Sequence, residues 1–363
     1  MINGKTIGID ARMIEMSGIG TYIQHLMDQG IYDYAVGSEE QIRKYDKSVK
    51  VIPFDANIYK LKEQLNFPNR QIKKAGIDIM HFPHYNVPVS YRGRYMVTVH
   101  DLTHIIFPEF LGRRIKYVYA KALMKQAVRR AEHVFTVSNN SKEDIIKYFG
   151  VPENKISITY NAIDDSFTEK AEADYEYLYN KYNIPRTSKI LLYVGNLKPH
   201  KNLVTLLRAA ADLRDEDIAV VLAGKAFKDS DLEQQERQMG IREKVIHTGL
   251  VSKEELIDLY NLADIFVFPS LYEGFGIPPL EAMACGTPVI AANNSSIPEV
   301  VGDAAVLFDA TDKDELVRAI RKTLGSTDLQ KELIKNGYSR VKAFSWNDTV
   351  EIIKSTIASG TGK

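Results

Sequence analysis

A single cysteine, Cys285, in 363 residues leaves this chain no internal disulfide framework and no cysteine-based zinc site. No apolar run approaches the ~18 to 20 residues needed to span a bilayer. The amino-terminal MINGKTIGIDARM has no apolar signal-peptide core, so a cytoplasmic protein is expected. Net charge is absent as well, with 47 Lys+Arg against 47 Asp+Glu, which argues against bulk nucleic-acid binding. The cysteine itself, in a short helix, reads as a small buried residue.

What is present is apolar substance, 45% of the residues, enough for two buried cores in a chain of this length. The charge is also uneven. Residues 1–165 carry 23 Lys+Arg against 18 Asp+Glu, a difference of +5, which leaves −5 for residues 166–363. Its focus is Gly112 to Arg130 (GRRIKYVYAKALMKQAVRR), with seven basic residues, Arg113, Arg114 and Lys121 among them, and no acidic one. Lys121, Lys125 and Arg129 recur at four-residue spacing and would form one repelling row on a helix, which an anionic partner would relieve. The alternative is a solvated face paired with acids elsewhere.

The most informative stretch is Pro269 to Ala291, PSLYEGFGIPPLEAMACGTPVIA. An apolar run up to Phe268 reads as a buried parallel strand. Pro278 and Pro279 suit the first turn of a helix, Gly286 suits a left-handed cap ending it, and Val289 to Ala291 resumes as a strand. The unit is βαβ, with its glycine-bearing loop at the strand's carboxyl end, where ligands bind in such sheets. Gly274 and Gly276 let backbone N–H groups approach an anion at the helix N-terminus. Two carboxylates, Glu273 and Glu281, flank that anion site. They are out of place there unless they accept hydrogen bonds from neutral hydroxyls, which a sugar supplies in pairs, so the loop suggests a nucleotide sugar. The bland alternative is a helix-capping Glu281 and a solvated Glu273.

The rest of the chain alternates strand-like runs with helices. Thr6–Ile9, Val49–Pro53, Ile77–His81, Tyr95–Val99, His133–Val137 and Ile156–Ile158 form one α/β series. Ile190–Val194, Ala219–Leu222, Val245–Thr248, Ile265–Phe268, Val289–Ala291 and Ala305–Phe308 form a second. Each series is a doubly wound candidate. The polar, Tyr-rich stretch from Asp164 to Ser188 is expected to connect them. The helical tail 328–359, broken near Ser345 and Trp346, is of a kind that crosses back to a first domain.

With these features together, the chain resembles the retaining glycosyltransferases of family 4, which have the two-domain GT-B fold. Glu273 and Glu281 match the family's E-x7-E motif, and HTGLVSKEELIDLYNLADIFVFPSLYEGFGIPPLEAMACGTPVIA is similar to its donor-binding half. The resemblance implies two Rossmann-like domains facing across a cleft. Residues 1–165 would bind acceptor, residues 166–344 would bind the nucleotide sugar, and 345–363 would be the returning helix. It implies that Glu281 binds the donor ribose, Glu273 the transferred sugar, and the amides of Gly274, Phe275, Gly276 and Ile277 the diphosphate. Lys201, in LLYVGNLKPHKN, matches the lysine that neutralises the departing diphosphate, which fits the need for fixed positive charge where negative charge develops. Asn196 stands where many relatives have an arginine, and Arg12 or His200 is a candidate substitute.

By the same resemblance, Ser17 to Tyr22 (SGIGTY), with Gly18 and Gly20, is similar to the family's glycine loop over the diphosphate. His100 matches the active-site histidine, with Asp101 beside it. Ser138, Asn161 and Val251 match other cleft positions. Transfer in this family needs no protein nucleophile, because the acceptor hydroxyl attacks on the face the diphosphate leaves and a diphosphate oxygen takes its proton. No metal and no cofactor is implied. The stretches VHDLTHIIFPE and IDARMIEMSGIGTYI are similar to mannosyltransferase members that build polysaccharides or lipid-linked oligosaccharides, which makes GDP-mannose the first-choice donor. A saccharide or lipid-linked saccharide is then the acceptor, and a peripheral contact with the inner membrane face through 112–130 follows. Competing readings keep the fold as a sugar-nucleotide epimerase, a phosphorolytic enzyme or a non-catalytic binding subunit. A further alternative makes His81, His84, His100 and His104 the ligands of a metal hydrolase.

Overall fold

A computed structural model describes residues 2–56, 58, 61–112, 114–170, 174–225 and 231–359. The chain divides into two compact units, residues 1–161 with 345–363, and residues 162–344.

In the first unit, β1 (Ile7–Asp10), β2 (Tyr34–Gly37), β3 (Lys50–Pro53), β4 (Ile79–Phe82), β5 (Tyr95–Val99), β6 (His133–Thr136) and β7 (Ile156–Ile158) form a parallel sheet in the order β3-β2-β1-β4-β5-β6-β7. The central strands are buried throughout because helices cover both faces, and their sequences are accordingly continuous apolar runs. Strand β2 was not among the expected strands. It reads YAVG, only four residues with two of them small, too short to stand out as an apolar run. The last helix, Trp346–Ser359, packs Val350, Ile353 and Ile357 into the core around Tyr22, Ile23 and Leu26 of helix Ser17–Asp28. Trp346 stacks on His25 at 4.5 Å, and the Thr349 hydroxyl donates to the Tyr160 carbonyl.

In the second unit, β8 (Lys189–Val194), β9 (Ile218–Ala223), β10 (Val245–Gly249), β11 (Ile265–Phe268), β12 (Val289–Ala292) and β13 (Ala305–Phe308) run parallel in the order β10-β9-β8-β11-β12-β13. The order reverses direction between β8 and β11, where Ile265 pairs with Leu191. The loops leaving these two strands therefore diverge and open a crevice at their carboxyl ends. Strand β11 spans Ile265–Phe268 as expected, and just before it the Asp264 carboxylate accepts the backbone N–H of Ile190.

The polar stretch expected as a connection belongs instead to the second unit. Its helix Glu176–Tyr182 buries Leu178 and is tied down by Tyr177 to Asp258 at 2.6 Å and by an ion pair of Lys181 with Glu255. Alternating Tyr and charge in that helix is the signature of one apolar stripe with a bonded rim.

Candidate functional site

The crevice at the β8/β11 switch point is built from two segments. After β8 the chain makes a single 3-10 turn, Pro199–Lys201, then enters helix Leu203–Asp212 through Asn202, whose φ is +56°. After β11 it runs Pro269 to Gly276 into helix Ile277–Ala284. Backbone and side-chain bonds hold the two together. Leu271 N–H donates to the His200 carbonyl at 2.7 Å, and the Asn202 amide donates to the carbonyls of Pro269 and Ala310.

That clamp sets Lys201 against Glu273. Lys201 Nζ lies 2.7 Å and 2.9 Å from the two carboxylate oxygens, with side-chain exposures of 16% for the lysine and 12% for the glutamate. Nζ also stands 5.8 Å over the Phe268 ring. A cation on a long side chain, a carboxylate and the N–H groups of a helix start are thus gathered at one point, suited to binding a group that carries both hydroxyls and negative charge.

The Glu273 loop is braced by residues after β12. Glu273 N–H donates to the Ser295 hydroxyl at 2.9 Å, and the Ser296 hydroxyl lies 3.0 Å and 2.9 Å from the carbonyls of Glu273 and Phe275. Gly276, at φ +105°, turns the chain into the helix, with Pro278 and Pro279 in its first turn as expected. Gly286 takes the left-handed φ of +75° expected of a helix-ending glycine. Phe275 is buried, its ring edge-on to that of Phe344.

Glu281 lies one turn into the helix and accepts from the Tyr260 hydroxyl at 2.8 Å. Burial drives its carboxyl up to about 7, an effect that Tyr260 and Lys253 oppose. Cys285 is buried, as expected, and burial pushes its thiol up to about 12, where it is unreactive.

A small cavity at the carboxyl ends of β8, β9 and β10 is lined by Tyr193, Gly195, Leu222, Gly224, His247 and Gly249. Gly224 is required there, since a Cβ would stand 1.9 Å from the Gly195 carbonyl oxygen. His247 Nε2 is 2.7 Å from Oε1 of the fully buried Glu236, so that nitrogen carries the proton. The Asn196 carbonyl accepts from the Tyr193 hydroxyl, and Val251 directly precedes Ser252, which caps helix Lys253–Leu262 in a capping box with Glu255.

In the first unit His100 follows β5 and donates through Nε2 to the Pro83 carbonyl at 2.8 Å, while its ring meets Tyr22 edge-on. Burial lowers its pKa, leaving a neutral imidazole with Nδ1 as acceptor. Asp101 accepts from Thr103 N–H; burial alone would raise its pKa, but the Thr103 bonds together with His104 and His100 lower it. Ser138 caps helix Asn139–Phe149 through Ser141 N–H, and Asn161 is buried.

Two expectations need correction. Ser17–Tyr22 is not a glycine loop; it is the opening of helix Ser17–Asp28, and the loop proper is Ala11–Met16. Gly20 is there because a Cβ would meet the Ile14 carbonyl oxygen at 2.5 Å, whereas Gly18 faces open space. Nor is Arg12 an uncommitted anion ligand. Its side chain is 3% exposed and binds Asp10 at 2.6 Å and Glu63 at 2.7 Å, with the ring of Phe67 beneath. Two carboxylates already neutralise it.

Arg113 lies outside the described residues. Arg114 and Lys121 lie on helix Arg114–Arg130, where the Lys121 ammonium reaches only the Tyr117 hydroxyl. His81 has both ring nitrogens bonded, to Tyr32 and Thr98, and no three His, Cys, Asp or Glu side chains converge as metal ligands among the described residues.

Sequence reasoning missed Tyr260, Ser295, Ser296, His247 and Glu236. They come from two helices (Glu236, Tyr260), strand β10 (His247) and the loop after β12 (Ser295, Ser296), and no local motif marks them.

Two parallel doubly wound sheets, one in each unit, with a ligand-type crevice at the switch point of the second, are the architecture of the GT-B type. The comparisons agree. Residues 175–340 match the family model "Glycosyl transferases group 1", and residues 32–167 match "Glycosyltransferase Family 4". The chain belongs to glycosyltransferase family 4.

It is similar to O-antigen chain mannosyltransferase B of Escherichia coli, at 33% identity over 76% of this chain and 73% of that protein. It is also similar to the serotype-specific mannosyltransferase WbdA of Escherichia coli, at 31% over 70% of this chain but only 32% of that one. Its fold matches sucrose-phosphate synthase from Thermosynechococcus elongatus, with a TM-score of 0.79 at 20% identity over 98% of both chains. The fold also matches Anabaena Alr3699/HepE in complex with UDP and glucose, with a TM-score of 0.78 at 19% identity over 99% of this chain and all of that one.

Proposed function

We propose that the protein is a retaining hexosyltransferase. It moves a mannosyl group from a nucleotide-diphosphate sugar, GDP-mannose as first choice, to a saccharide or lipid-linked saccharide during cell-surface polysaccharide synthesis. The observation that carries this is the Lys201–Glu273 pair beside the start of helix Ile277–Ala284 at the β8/β11 switch point. Likeness to mannosyltransferases of O-antigen chains supports the sugar and the setting.

Residues 162–344 bind the nucleotide sugar, with Val251 and Asn196 on the side of the base. Glu281 accepts the ribose hydroxyls, and the amides of Gly274 to Ile277 meet the diphosphate. Glu273 takes hydroxyls of the transferred sugar once Lys201 leaves it for the phosphates. The helix start at Gly18 offers a further N–H group to phosphate, whereas the Gly20 N–H is held by the Met16 carbonyl; His100 Nδ1 accepts from a sugar hydroxyl. In the transfer step the bond from the anomeric carbon to the diphosphate oxygen breaks. The acceptor oxygen bonds that carbon on the same face, and its proton passes to the departing diphosphate. Lys201 and the loop amides hold the charge that develops. No residue serves as nucleophile, and the reading includes no metal or cofactor.

A lipid-linked acceptor would place the enzyme at a membrane surface on the cytoplasmic side, and 112–130 is the stretch we assign to that contact. No helix among the described residues is long and apolar enough to cross a membrane.

Thermal-shift titration with GDP-mannose, UDP-glucose and other nucleotide sugars tests the donor, and equal shifts for all would sink donor specificity. NMR of the product tests the stereochemistry. An α-mannoside is expected from GDP-α-mannose, and a β-linked product would overturn retention.

A further inference from the structure

Helix Arg114–Arg130 buries one narrow stripe, made of Ala120, Leu123, Met124, Ala127 and Val128. The opposite face of such a surface helix is normally polar. Here it carries Ile115, Val118 and Tyr119, spaced i, i+3, i+4 on one side and 75%, 56% and 45% exposed. Ala122, exposed one turn beyond Val118, extends the stripe. Exposed apolar residues scattered singly need no explanation. Three of the eight large exposed hydrophobics among the described residues, however, fall within these five positions.

Charge on the same helix is one-sided. Arg114, Lys116, Lys121, Lys125, Arg129 and Arg130 have no carboxylate partner among the described residues. Lys121, Arg129 and Arg130 reach only neutral oxygens, on Tyr117, Phe149 and Tyr91. Cations elsewhere in the first unit do pair, as Lys44 does with Glu15 and Arg94 with Glu132. The solvated, acid-paired face anticipated as the alternative is therefore absent among the described residues. An apolar strip edged by unpaired cations on an amphipathic helix is complementary to an anionic lipid surface, in which the strip enters the headgroup–acyl boundary and the cations meet phosphates.

We propose that helix Arg114–Arg130 docks on an anionic phospholipid bilayer by inserting Ile115, Val118 and Tyr119, with Arg114, Lys121, Lys125 and Arg129 on the surrounding phosphates. This deepens the membrane contact assigned above. It rests on the lipid-linked acceptor for its purpose and not for its test.

The experiment is co-sedimentation of the full chain with phosphatidylglycerol-containing vesicles and with pure phosphatidylcholine vesicles. Three variants are compared: Ile115→Ser/Val118→Ser/Tyr119→Ser, Lys121→Glu/Lys125→Glu, and Tyr119→Trp. The wild type should partition onto the anionic vesicles, and the first two variants should each lose roughly tenfold in partition. Indole emission of the Tyr119→Trp variant should shift to the blue on adding anionic vesicles, against the constant background of the single native Trp346. Unchanged partition of the triple-serine variant would overturn insertion, and absence of wild-type binding would overturn docking. So would self-association in ultracentrifugation that the triple variant abolishes without any vesicle binding, because the face would then bind a second copy. GDP-mannose thermal shifts on the same samples separate the two readings. A retained shift without vesicle binding leaves the transferase reading standing, and lost shifts with intact vesicle binding do the reverse.

Discussion

Lys201 donates to both carboxylate oxygens of Glu273, across 72 residues of sequence, and the two are held in that register by the Leu271 N–H to His200 carbonyl bond. In the free protein each neutralises the other, so neither is stranded before the donor arrives. In the proposed transfer step Lys201 turns from Glu273 to phosphate.

Lys201→Ala should lower kcat by about 10² to 10³, the loss typical of one preorganised charge at a leaving group. Glu273→Gln should lose a comparable factor. The double variant should lose much less than the product of the two, since each single change strands a partner. Steady-state kinetics on the four proteins checks this, and strict additivity would contradict a working pair.

On the proposed ribose-binding role, Glu281 should make donor binding pH-dependent. Its carboxyl is raised to about 7 by burial, and the ionised form is the stronger acceptor for ribose hydroxyls. Donor affinity should therefore rise with pH through that value, and Glu281→Gln should flatten the profile while weakening binding. Tyr260→Phe, which removes the hydroxyl donated to Glu281, should move the inflection upward. Calorimetric titration of GDP-mannose across the range reads all three.

The same group sets a stability trend. Glu281 holds its proton in the folded state to about 7 but releases it near 4.5 when unfolded, so the fold loses stability as pH rises between those values. Above that window Glu281→Gln should stabilise the protein by up to about 3 kcal/mol, and below it by almost nothing. Urea unfolding at the two extremes gives the comparison.

Ser296→Ala should damage the Glu273 loop without touching a ligand. It deprives two carbonyls, of Glu273 and Phe275, of the hydroxyl between them. A loss of about 1 to 3 kcal/mol in urea unfolding is expected, with a larger rise in donor KM than fall in kcat.

Gly224→Ala should be more severe, because its Cβ would collide with the Gly195 carbonyl at 1.9 Å and φ is +145°. About 3 kcal/mol or more of destabilisation follows, together with loss of the cavity beside His247. Near-native stability with normal donor binding would contradict the geometry.

The sequence by itself determined the α/β class, whose strands, β2 excepted, it marks as apolar runs of the kind that helices bury on both faces, as β5 and β11 are buried. It also marked the helix start at Pro278 and Pro279 and the loop glutamates, because those signals are local: a ring that fixes φ, a run of one polarity, a spacing. Tertiary structure alone decided the rest. It turned Ser17–Tyr22 from a glycine loop into a helix, since the preceding Ala11–Met16 absorbs the turn. It bound Arg12 to Glu63 from 51 residues away and brought Lys201 to Glu273. It raised Glu281 by enclosing it beside Tyr260 and placed Ser296 under the loop. Charge pairing and desolvation depend on which distant segments become neighbours, and no local pattern of residues encodes that.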